Sequence, residues 1–591
     1  MKGFFKSVLA TVVGLFLFFI IMGFFLVISM VGMIASGEQT KSVRDNSVLV
    51  LNLTGVMEER AENDFMSQLT GNFSGQLGLD DILSAIKKAK DNEKIKGIYI
   101  EAGAFAPDSY ASMQAIRRAL TDFKKSGKWI VAYADTYTQG TYYLASAADK
   151  VWLNPQGMLD WHGLAAQKVY FKDVLAKVGV KMQIAKVGSY KSAVEIFTGD
   201  KMSDADREQT EAYINGIWQN VTKDVAASRK LSVEQLNAYA DSLITFNDTK
   251  DMLKLKLVDA LLYTDQVKTE VKKLLKIEND ERIHQLSIND MKNVKGKSKE
   301  GEEIAVYYAY GDIVDGAAGG GFGNQEHQID AQVVCKDLQK LMDDDDVKAV
   351  VMRINSGGGS AYASEQIWHA LMEMKKKKPV VVSMGGMAAS GGYYISAPAN
   401  WIVAEPTTLT GSIGIFGMFP DASELLTQKI GLKYDEVKTN KFSTFGAQNR
   451  PISAEEMAYL EAYIERGYQL FRQRVAQGRK MTTDQVEKIA QGHVWIGQDA
   501  LGIKLVDQLG GLDAAVAKAA SLAKLQEYHT NSYPAPADWM DQLLNETKRG
   551  NYLDEELQAT LGEYYQPIML MKQIRQMNPI QTRLPYYIYI R

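Results

Sequence analysis

Cysteine is almost absent from this sequence, since Cys335 is the only one among its 591 residues. A disulfide within the chain is therefore impossible, and a cysteine-rich zinc or iron–sulfur site is excluded as well. An excess of positive charge is also missing: 67 Lys and Arg residues face 71 Asp and Glu residues, for a formal net charge of -4. Nucleic-acid binding proteins neutralise phosphates with a basic surface, so a general nucleic-acid binder is not expected.

Long hydrophobic runs are confined to the amino terminus. Residues 8–35 carry no charged side chain. This run exceeds both the roughly 20 residues of a membrane span and the about 7–15 residues of a signal-peptide core. Lys2 and Lys6 precede it, whereas opposite charges nearly cancel after it. The positive-inside tendency therefore predicts that residues 1–45 form a single-pass anchor with a cytoplasmic amino terminus, and that the remainder is extracytoplasmic. Cleavage near residues 35–37 is the alternative.

The rest of the chain contains an internal duplication. The segment VAYADTYTQGTYYLASAADKVWLNP (131–155) aligns without a gap with VSMGGMAASGGYYISAPANWIVAEP (382–406). Similarity continues on both sides, so the chain divides into two similar halves, about residues 46–285 and 304–525. The polar segment between them, residues 286–303, is rich in Lys and Gly and is predicted to be a linker.

Short apolar runs alternate with helical patterns in each half. In the second half, IAVYYA, AVVMRI, PVVVSM and WIVAE are typical of buried strands, and residues 361–378 have the apolar spacing of a helix. Strands that alternate with helices favour an α/β fold with a largely parallel sheet of βαβ units. Helical extensions follow each core, for example residues 454–477. Residues 526–591 form a carboxyl-terminal extension to which this pattern assigns no role.

Two glycine-rich turns of the second half are candidate sites. NSGGGS (355–360) follows the strand AVVMRI, and GMAASGGYY (386–394) follows VVVSM. A serine at a strand-to-helix turn is surrounded by backbone N–H groups, which suits a nucleophile beside an oxyanion hole. Such turns also bind phosphates or merely redirect the chain, although neither matches the Walker A or Rossmann fingerprint. From residue types alone these interpretations stay open.

Four motifs occur in order along the second half: NSGGGSAYASE, VVVSMGGMAASGGYYIS, TLTGSIGIFG and GHVWIGQDALGIKLVDQLGG. Together they closely resemble the signal peptide peptidase A (protease IV) family in its long duplicated form. The resemblance implies a membrane-bound serine endopeptidase that degrades cleaved signal peptides through an acyl-enzyme. It implies two tandem repeats of the Clp protease and crotonase type, preceded by one transmembrane helix. One departure is Gly357, which stands where the family commonly has proline.

The same resemblance implies a setting for the protein. It places the anchor in the inner membrane of a bacterium, with the catalytic part in the periplasm. The implied partners are signal peptides and other peptides, the lipid bilayer and three further copies in a closed homo-tetramer. No cofactor and no metal are implied, and no spacing of His, Asp and Glu in the sequence suggests a metal site.

The catalytic residues are also implied by the resemblance. The family nucleophile is the serine of an Ala-Ser-Gly-Gly turn, here Ser390, and its general base is the lysine of a Tyr-Lys-Ser-Ala motif, here Lys191. A lysine accepts a proton only when it is neutral, and at a pKa near 10.4 only about one in 2,500 is neutral at pH 7. We therefore expect Lys191 in an apolar, desolvated site that lowers its pKa by roughly 3.

Three further roles follow from the resemblance. The backbone N–H of Gly391 and that of Gly359 or Gly358 are the implied oxyanion donors. Ser412, in the motif TGSIG, is implied to hydrogen-bond the lysine and to orient it. Because TGSIG is a tight turn, Ser412 is also an alternative nucleophile, but the family pattern favours Ser390.

The duplication gives an argument about the dyad that is independent of the family. The residue that matches Ser390 in the first half is Gln139, and the stretch that matches Tyr190 and Lys191 in the second half is Phe442-Ser443. Each half thus keeps one member of the pair and lacks the other. We expect one composite site, in which the first half supplies the base and the second half the nucleophile. Trp161 matches Ser412, so the first half lacks this serine as well.

Three other functions compete with that of a Ser–Lys peptidase. A Ser-His-Asp hydrolase needs a histidine with an orienting carboxylate; of the six histidines only His493 lies in a family motif, where a structural role is expected. A crotonase-like acyl-CoA enzyme would share the βαβ core but not the anchor or the Ser–Lys pair. An inactive membrane scaffold would have no reason to keep Ser390 and Lys191.

Overall fold

We describe the protein from a computed structural model. It describes residues 3, 11, 13–19, 21–22, 41–61, 76–296, 300–316, 327–535 and 580–583. Most of the predicted anchor, residues 8–35, lies outside the described residues. Within the described part of the chain, no helix is both long and apolar enough to cross a membrane.

The first half folds as an α/β layer around one parallel sheet. Its strands are β1 (Ser47–Glu58), β2 (Gln76–Gly78), β3 (Ile95–Ala106), β4 (Trp129–Tyr137), β5 (Lys150–Leu159), β6 (Lys181–Val187), β7 (Ala260–Leu261) and β8 (His284–Leu286). All of these except β6 form a parallel sheet in the spatial order β2-β1-β3-β4-β5-β7, with β8 beside β1. Its helices are α1 (Leu79–Asp91), α2 (Tyr110–Lys124), α3 (Gln139–Ala145), α4 (Lys172–Val178), α5 (Glu195–Thr198), α6 (Asp204–Arg229), α7 (Val233–Asp241), α8 (Thr249–Lys254), α9 (Thr264–Leu275) and α10 (Ile288–Lys292).

The second half repeats this plan. Its strands are β9 (Glu302–Tyr310), β10 (Asp312–Val314), β11 (Gln328–Asp330), β12 (Val347–Ser356), β13 (Gly358–Ser360), β14 (Val380–Ala389), β15 (Trp401–Ala404), β16 (Leu409–Gly411), β17 (Ile415–Asp421), β18 (Val494–Ile496), β19 (Gln508–Leu509), β20 (Tyr528–Tyr533) and β21 (Ile580–Arg583). Its helices are α11 (Ala331–Asp343), α12 (Ala361–Lys377), α13 (Gly391–Ser396), α14 (Ala454–Arg479), α15 (Thr483–Glu487), α16 (Gly497–Gly502) and α17 (Leu512–Ala523).

An eight-stranded sheet forms the centre of the second half, in the order β18-β16-β14-β12-β9-β20, with β15 beside β14 and β19 beside β15. Almost every residue of β12 and β14 is buried, as expected for parallel strands that are covered on both faces. Helix α12 begins where the Ser360 side chain accepts the Ala363 N–H, and it buries Ile367, Leu371 and Met374. The predicted α/β class, the four predicted strands and both predicted helices of this half are confirmed.

A third, mixed sheet joins the two halves. Its spatial order is β11-β10-β13-β21-β17-β6, so a strand of the first half, β6, belongs to it. β6 pairs antiparallel with β17 of the second half over seven residue pairs, from Val187 opposite Ile415 to Lys181 opposite Asp421. Because of this pairing, the segment that follows β6 lies against the second half.

Buried contacts add to this connection. The Arg353 guanidinium of β12 forms two hydrogen bonds, of 2.9 and 2.8 Å, with the Glu59 carboxylate of the first half, and both side chains are buried. The apolar core of the first half also contains Ala389, Leu409 and Ile496 from the second half. The two repeats therefore share one packed interface.

The predicted linker, residues 286–303, is partly structured. Ser287 and Asp290 form a capping box that starts helix α10. Ile288 and Met291, three residues apart on one face of this helix, are buried against the first half. The packed first half therefore extends past residue 285, because two apolar side chains in a polar stretch suffice to fix one helical turn.

Candidate active site

Ser390 lies in the turn between β14 and α13. Its backbone adopts φ 54° and ψ -114°, a conformation that is costly for a residue with a side chain and that clusters at functional sites. The Ser390 N–H donates to the Gly411 carbonyl at 2.8 Å, and its carbonyl accepts the Tyr394 N–H at 2.8 Å. The strained turn is thus held from both sides, and Ser390 is fully buried.

Lys191 reaches Ser390 from the other half. It follows the end of β6 by four residues, and because β6 pairs with β17, its loop lies against the second half. The Tyr190 N–H donates to the Gln491 carbonyl at 2.9 Å. At Gly492, φ is +84° and a β-carbon would lie 2.6 Å from the Lys191 backbone nitrogen. Only glycine permits this approach, which explains its place in the GHVWIG segment.

The structure brings the three predicted side chains of the site together. The Lys191 Nζ lies 2.7 Å from the Ser390 Oγ, 3.0 Å from the Ser412 Oγ and 3.2 Å from the Ser412 carbonyl oxygen. Ser412 lies just before β17, and its N–H donates to the His493 carbonyl at 2.7 Å. The Lys191 Nζ therefore lies within hydrogen-bond distance of both predicted serines.

Burial sets the charge state of Lys191. The side chain is among the largest that are fully buried, with 1% of its surface exposed. Desolvation lowers the pKa of Lys191 from 10.5 to about 7, because the ammonium form loses its hydration. About half of such lysines are neutral at pH 7. A lysine with this pKa meets the requirement that a general base be partly neutral at pH 7.

Gln209 is a residue of the site that sequence reasoning missed. It is fully buried on α6; its Nε2 donates to the Tyr190 carbonyl at 3.1 Å and to the Ser192 Oγ at 3.0 Å. Its Oε1 accepts the Val494 N–H of β18 at 3.1 Å. Gln209 thus ties the lysine loop to the strand beside Ser412. The sequence signal that could have identified Gln209 is a polar residue among the buried positions of its helix.

The two glycine-rich turns also meet. At Gly358, φ is +104°, and a β-carbon there would lie 2.7 Å from the Gly391 backbone nitrogen, so the two backbones are in contact. The Gly358 N–H donates to the Ser356 Oγ at 3.1 Å. The Gly391 N–H belongs to the first turn of α13, where an amide has no partner within the helix. The two turns that carry the implied oxyanion donors are therefore in backbone contact beside Ser390.

His493 has the contacts of a packing residue. Its ring stacks on Trp495 at a centroid distance of 4.0 Å and lies 4.3 Å from the Tyr190 ring. Its Nδ1 lies 2.9 Å from the Val494 carbonyl oxygen, and burial lowers its pKa. The described contacts of His493 are thus packing contacts, and they support the loop that carries Tyr190 and Lys191.

Comparisons with known proteins agree on one family. The profile of peptidase family S49 matches residues 122–278 and 372–526, which lie in both halves, and the Clp protease profile matches residues 322–402. The chain is 39% identical to "Protease 4" of Salmonella typhi over 90% of its own length and 87% of that protein. It is 30% identical to "Serine protease SPPA, chloroplastic" of Arabidopsis thaliana, over 82% of this chain and 70% of that one. A shorter relative, "Putative signal peptide peptidase SppA" of Enterococcus faecium, is 31% identical over 37% of this chain and 65% of its own.

Proposed function

Because the chain belongs to peptidase family S49 and is a serine-type peptidase, we propose that it cleaves peptides with Ser390 as nucleophile and Lys191 as general base. The observation that carries this proposal is the distance of 2.7 Å between the Lys191 Nζ and the Ser390 Oγ, at a lysine whose pKa is lowered to about 7 by burial. The family assignment argues against the acyl-CoA enzyme and the inactive scaffold.

The reaction follows from this geometry. Neutral Lys191 takes the hydroxyl proton while the Ser390 Oγ attacks the peptide carbonyl carbon. The N–H groups of Gly391 and of Gly358 or Gly359 stabilise the tetrahedral oxyanion. Lys191 then gives its proton to the leaving amine, and an acyl-enzyme on Ser390 remains. A water molecule, deprotonated by the same lysine, hydrolyses this ester and releases the acid product.

Ser412 acts on the base in this scheme. Its Oγ and its carbonyl oxygen both accept hydrogen bonds from the Lys191 Nζ, at 3.0 and 3.2 Å. Two fixed acceptors leave the third direction of the amine for Ser390. Ser412 is thus a positioning residue, and Ser390 is preferred to it as the nucleophile.

For the substrates we propose cleaved signal peptides together with other peptides. The Enterococcus faecium relative is named as a signal peptide peptidase. An anchor at residues 1–45 in a bacterial inner membrane, with the peptidase on the periplasmic side, would keep the enzyme where such peptides are released; the charge asymmetry around residues 8–35 supports this. The assembly proposed with it is a homo-tetramer.

The nucleophile is tested by a fluorophosphonate probe, which reacts covalently with activated serines. We expect peptide mapping of the labelled full-length protein to find the adduct on Ser390, and labelling to be lost in Ser390→Ala and Lys191→Ala. Gln139→Ala, at the matching turn of the first half, is the control and should label as the unaltered protein does. Undiminished labelling of Ser390→Ala would remove this residue from the mechanism.

A further inference from the structure

Strand β14 is interrupted just before the turn that carries the proposed nucleophile. Its pairing with β12 joins Ile354 to Met384 and next Ser356 to Ala388. One residue of β12, Asn355, therefore faces three residues of β14 at this point. Such a β-bulge bends the strand and re-aims the side chains that follow it, and bulges are over-represented next to active sites. Here the residues that follow the bulge lead directly into the turn of the nucleophile.

The Asn355 side chain supplies a hydrogen bond that the interrupted pairing with β12 leaves out. Its Oδ1 accepts the Met387 N–H at 3.0 Å, and Met387 lies three residues before Ser390. Its Nδ2 donates to the carboxylate of Asp108, which lies just before α2 in the first half, at 2.9 Å. The matching residue of the first half is Gly103, which has no side chain for either bond. Asn355 thus connects β14 to the half that supplies the proposed base.

Two residues of the first half fill the space beside the bulge. Gly385 and Gly386 lie within it, and a β-carbon at Gly386 would lie 2.5 Å from the Ser109 Oγ. A β-carbon at Gly385 would clash with the Glu59 carboxylate, which the Arg353 guanidinium of β12 also binds. Only glycine allows the first half to approach β14 this closely. The bulge is therefore held in place from both halves.

The position of the bulge decides where the Ser390 Oγ lies. A strand rises about 3.3 Å for each residue, and successive side chains point to opposite faces. If the bulge shifted by one residue, the segment that carries Ser390 would be displaced by about that distance. Its 2.7 Å contact with the Lys191 Nζ would then be lost. Misplacement of a reacting group by about 1 Å can already lower a rate roughly 100-fold.

We propose that Asn355 is a positioning residue for the nucleophile, and that it acts together with Asp108 of the first half. This inference rests on the proposed roles of Ser390 and Lys191. Asn355 fixes the strand at Met387, and Asp108 fixes the Asn355 amide. The half that supplies the base therefore also orients the nucleophile.

The charge of Asp108 gives this arrangement a signature in pH. Asp108 is an exposed residue, yet desolvation of its carboxyl group, with a smaller contribution from the negative charge of Glu59, raises its pKa to about 7. The hydrogen bonds from Ser112 and Asn355 and the positive charge of Arg353 act in the opposite direction. A hydrogen bond to an ionised carboxylate is roughly twice as strong as one to a neutral acceptor. The Asn355 amide is therefore held more firmly above pH 7 than below it.

The test measures kcat, KM and thermal stability of full-length variants in detergent, with a fluorogenic peptide as substrate. Asn355→Ala should lower kcat roughly 10–100-fold and leave KM within a few-fold, because a displaced nucleophile reacts slowly with a substrate that still binds. Asn400→Ala is the matched control, since the Asn400 Oδ1 accepts the Val380 N–H at the other end of β14, at 2.9 Å. This control removes the same kind of bond ten residues before Ser390 and should keep kcat within a few-fold.

An exchange of the two side chains separates positioning from stability. Asn355→Asp places a second carboxylate against Asp108 and should lower kcat roughly tenfold or more. Asn355→Asp combined with Asp108→Asn restores an amide–carboxylate bond with donor and acceptor reversed, and should recover most of kcat above pH 8. Asp108→Asn alone should lower kcat/KM about fivefold above pH 8 and leave it unchanged below pH 6, where Asp108 is neutral in the unaltered protein. The titration of Lys191 cancels in this ratio.

The outcomes separate this inference from the proposed function. An unaltered protein that fails to hydrolyse the peptide contradicts the proposed function itself. An unchanged kcat in Asn355→Ala overturns the inference and leaves the peptidase intact, and so does an equal loss of kcat in Asn400→Ala, which would follow from lowered stability alone. No recovery in the double variant, or an effect of Asp108→Asn that does not change with pH, would show that the first half takes no part. Either result also overturns the inference.

Discussion

The two halves place different residues at the same strand–turn–helix corner. In the second half this corner presents Ser390 to Lys191 at 2.7 Å. In the first half Gln139 stands there, and its side chain is fully engaged: its Oε1 accepts the N–H groups of His162 and Gly163 at 3.1 and 2.9 Å, and its Nε2 donates to the Gly163 carbonyl at 3.0 Å. One corner holds a serine hydroxyl beside a buried lysine, and the other holds an amide whose oxygen and nitrogen are both hydrogen-bonded.

The two halves also differ at the position of Ser412, which lies 22 residues after Ser390. Ser412, whose small side chain leaves space for the lysine amine, corresponds to Trp161. The Trp161 indole is completely buried, donates to the Leu236 carbonyl at 2.9 Å and packs on Trp218 at a centroid distance of 5.0 Å. An apolar ring therefore fills the position at which the second half has a hydrogen-bond acceptor for a base.

In the second half, the segment that matches the lysine loop has Phe442 and Ser443 in place of Tyr190 and Lys191. Phe442 and Ser443 lie in an exposed stretch after the helical turn that follows β17, and the Ser443 Oγ bonds only locally, to the Asn440 N–H at 3.1 Å and the Asn440 carbonyl at 3.0 Å. Under the proposed mechanism, the duplicated fold keeps one reaction with its nucleophile in one copy and its base in the other. At the positions that match Ser390 and Ser412, the first half has a hydrogen-bonded amide and a packed indole instead.

The largest effect is expected when Ser390 or Lys191 is replaced. Ser390→Ala and Lys191→Ala should each lower kcat for peptide hydrolysis by roughly 10⁴-fold or more, because nucleophile and base act as one unit. Gln139→Ala, the matched change in the first half, should keep activity within a few-fold. Steady-state kinetics on a fluorogenic peptide, with circular dichroism as the folding control, measures both. Comparable losses in all three variants would show that the two corners contribute equally.

A second prediction concerns pH. Protonated Lys191 cannot accept the serine proton, and its pKa is about 7, so kcat/KM should fall about tenfold for each pH unit below 7 and level off above it. Lys191→Arg should be inactive throughout, because guanidinium stays protonated. The profile is measured between pH 5 and 10 on a peptide without titratable groups. A limb near pH 10 would mean that the lysine is solvated and would contradict the desolvated site.

The third prediction concerns Ser412, whose replacement should lower kcat less than the loss of Ser390 or Lys191. Ser412→Ala removes one hydrogen bond to Lys191 but leaves the Ser412 carbonyl contact at 3.2 Å. A hydrogen bond to a charged group contributes about 1.5 kcal/mol, which corresponds to roughly a tenfold lower kcat. The fluorophosphonate adduct should stay on Ser390. Complete loss of activity in Ser412→Ala with full activity in Ser390→Ala would reassign the nucleophile.

Gln209 should give the smallest effect. Gln209→Met keeps the volume but removes the bonds to Tyr190 and Val494, so the lysine loop loses part of its anchorage. We expect kcat to fall several-fold and the acid limb of the pH profile to move upward, because a looser loop admits water to Lys191. Gln219→Met, at an exposed position of the same helix, is the control. An unchanged limb with lowered stability would mean that Gln209 only supports the fold.

Local elements were largely predictable, and long-range pairings were not. The apolar runs of β9, β12, β14 and β15 and the periodicity of α12 and α14 are local patterns, so they identified these elements. Ser390, Lys191 and Ser412 came from a family resemblance, and the duplication supported only the division of Ser390 and Lys191 between the two halves. The pairing of β6 with β17, the clamp by Gln209 and the docking of β21 depend on residues far apart in the chain. No periodicity in a single sequence encodes such partners.

The pairing of β6 with β17 also has a consequence for the time course of biosynthesis. It joins positions more than 220 residues apart, and contacts of such separation form late because a long loop must close first. Synthesis produces Lys191 before Ser390, which lies 199 residues further on. In a chain whose halves have not yet paired, the proposed nucleophile and the proposed base are therefore still apart. Under the proposed mechanism, hydrolysis therefore begins only after the two copies of the fold have paired.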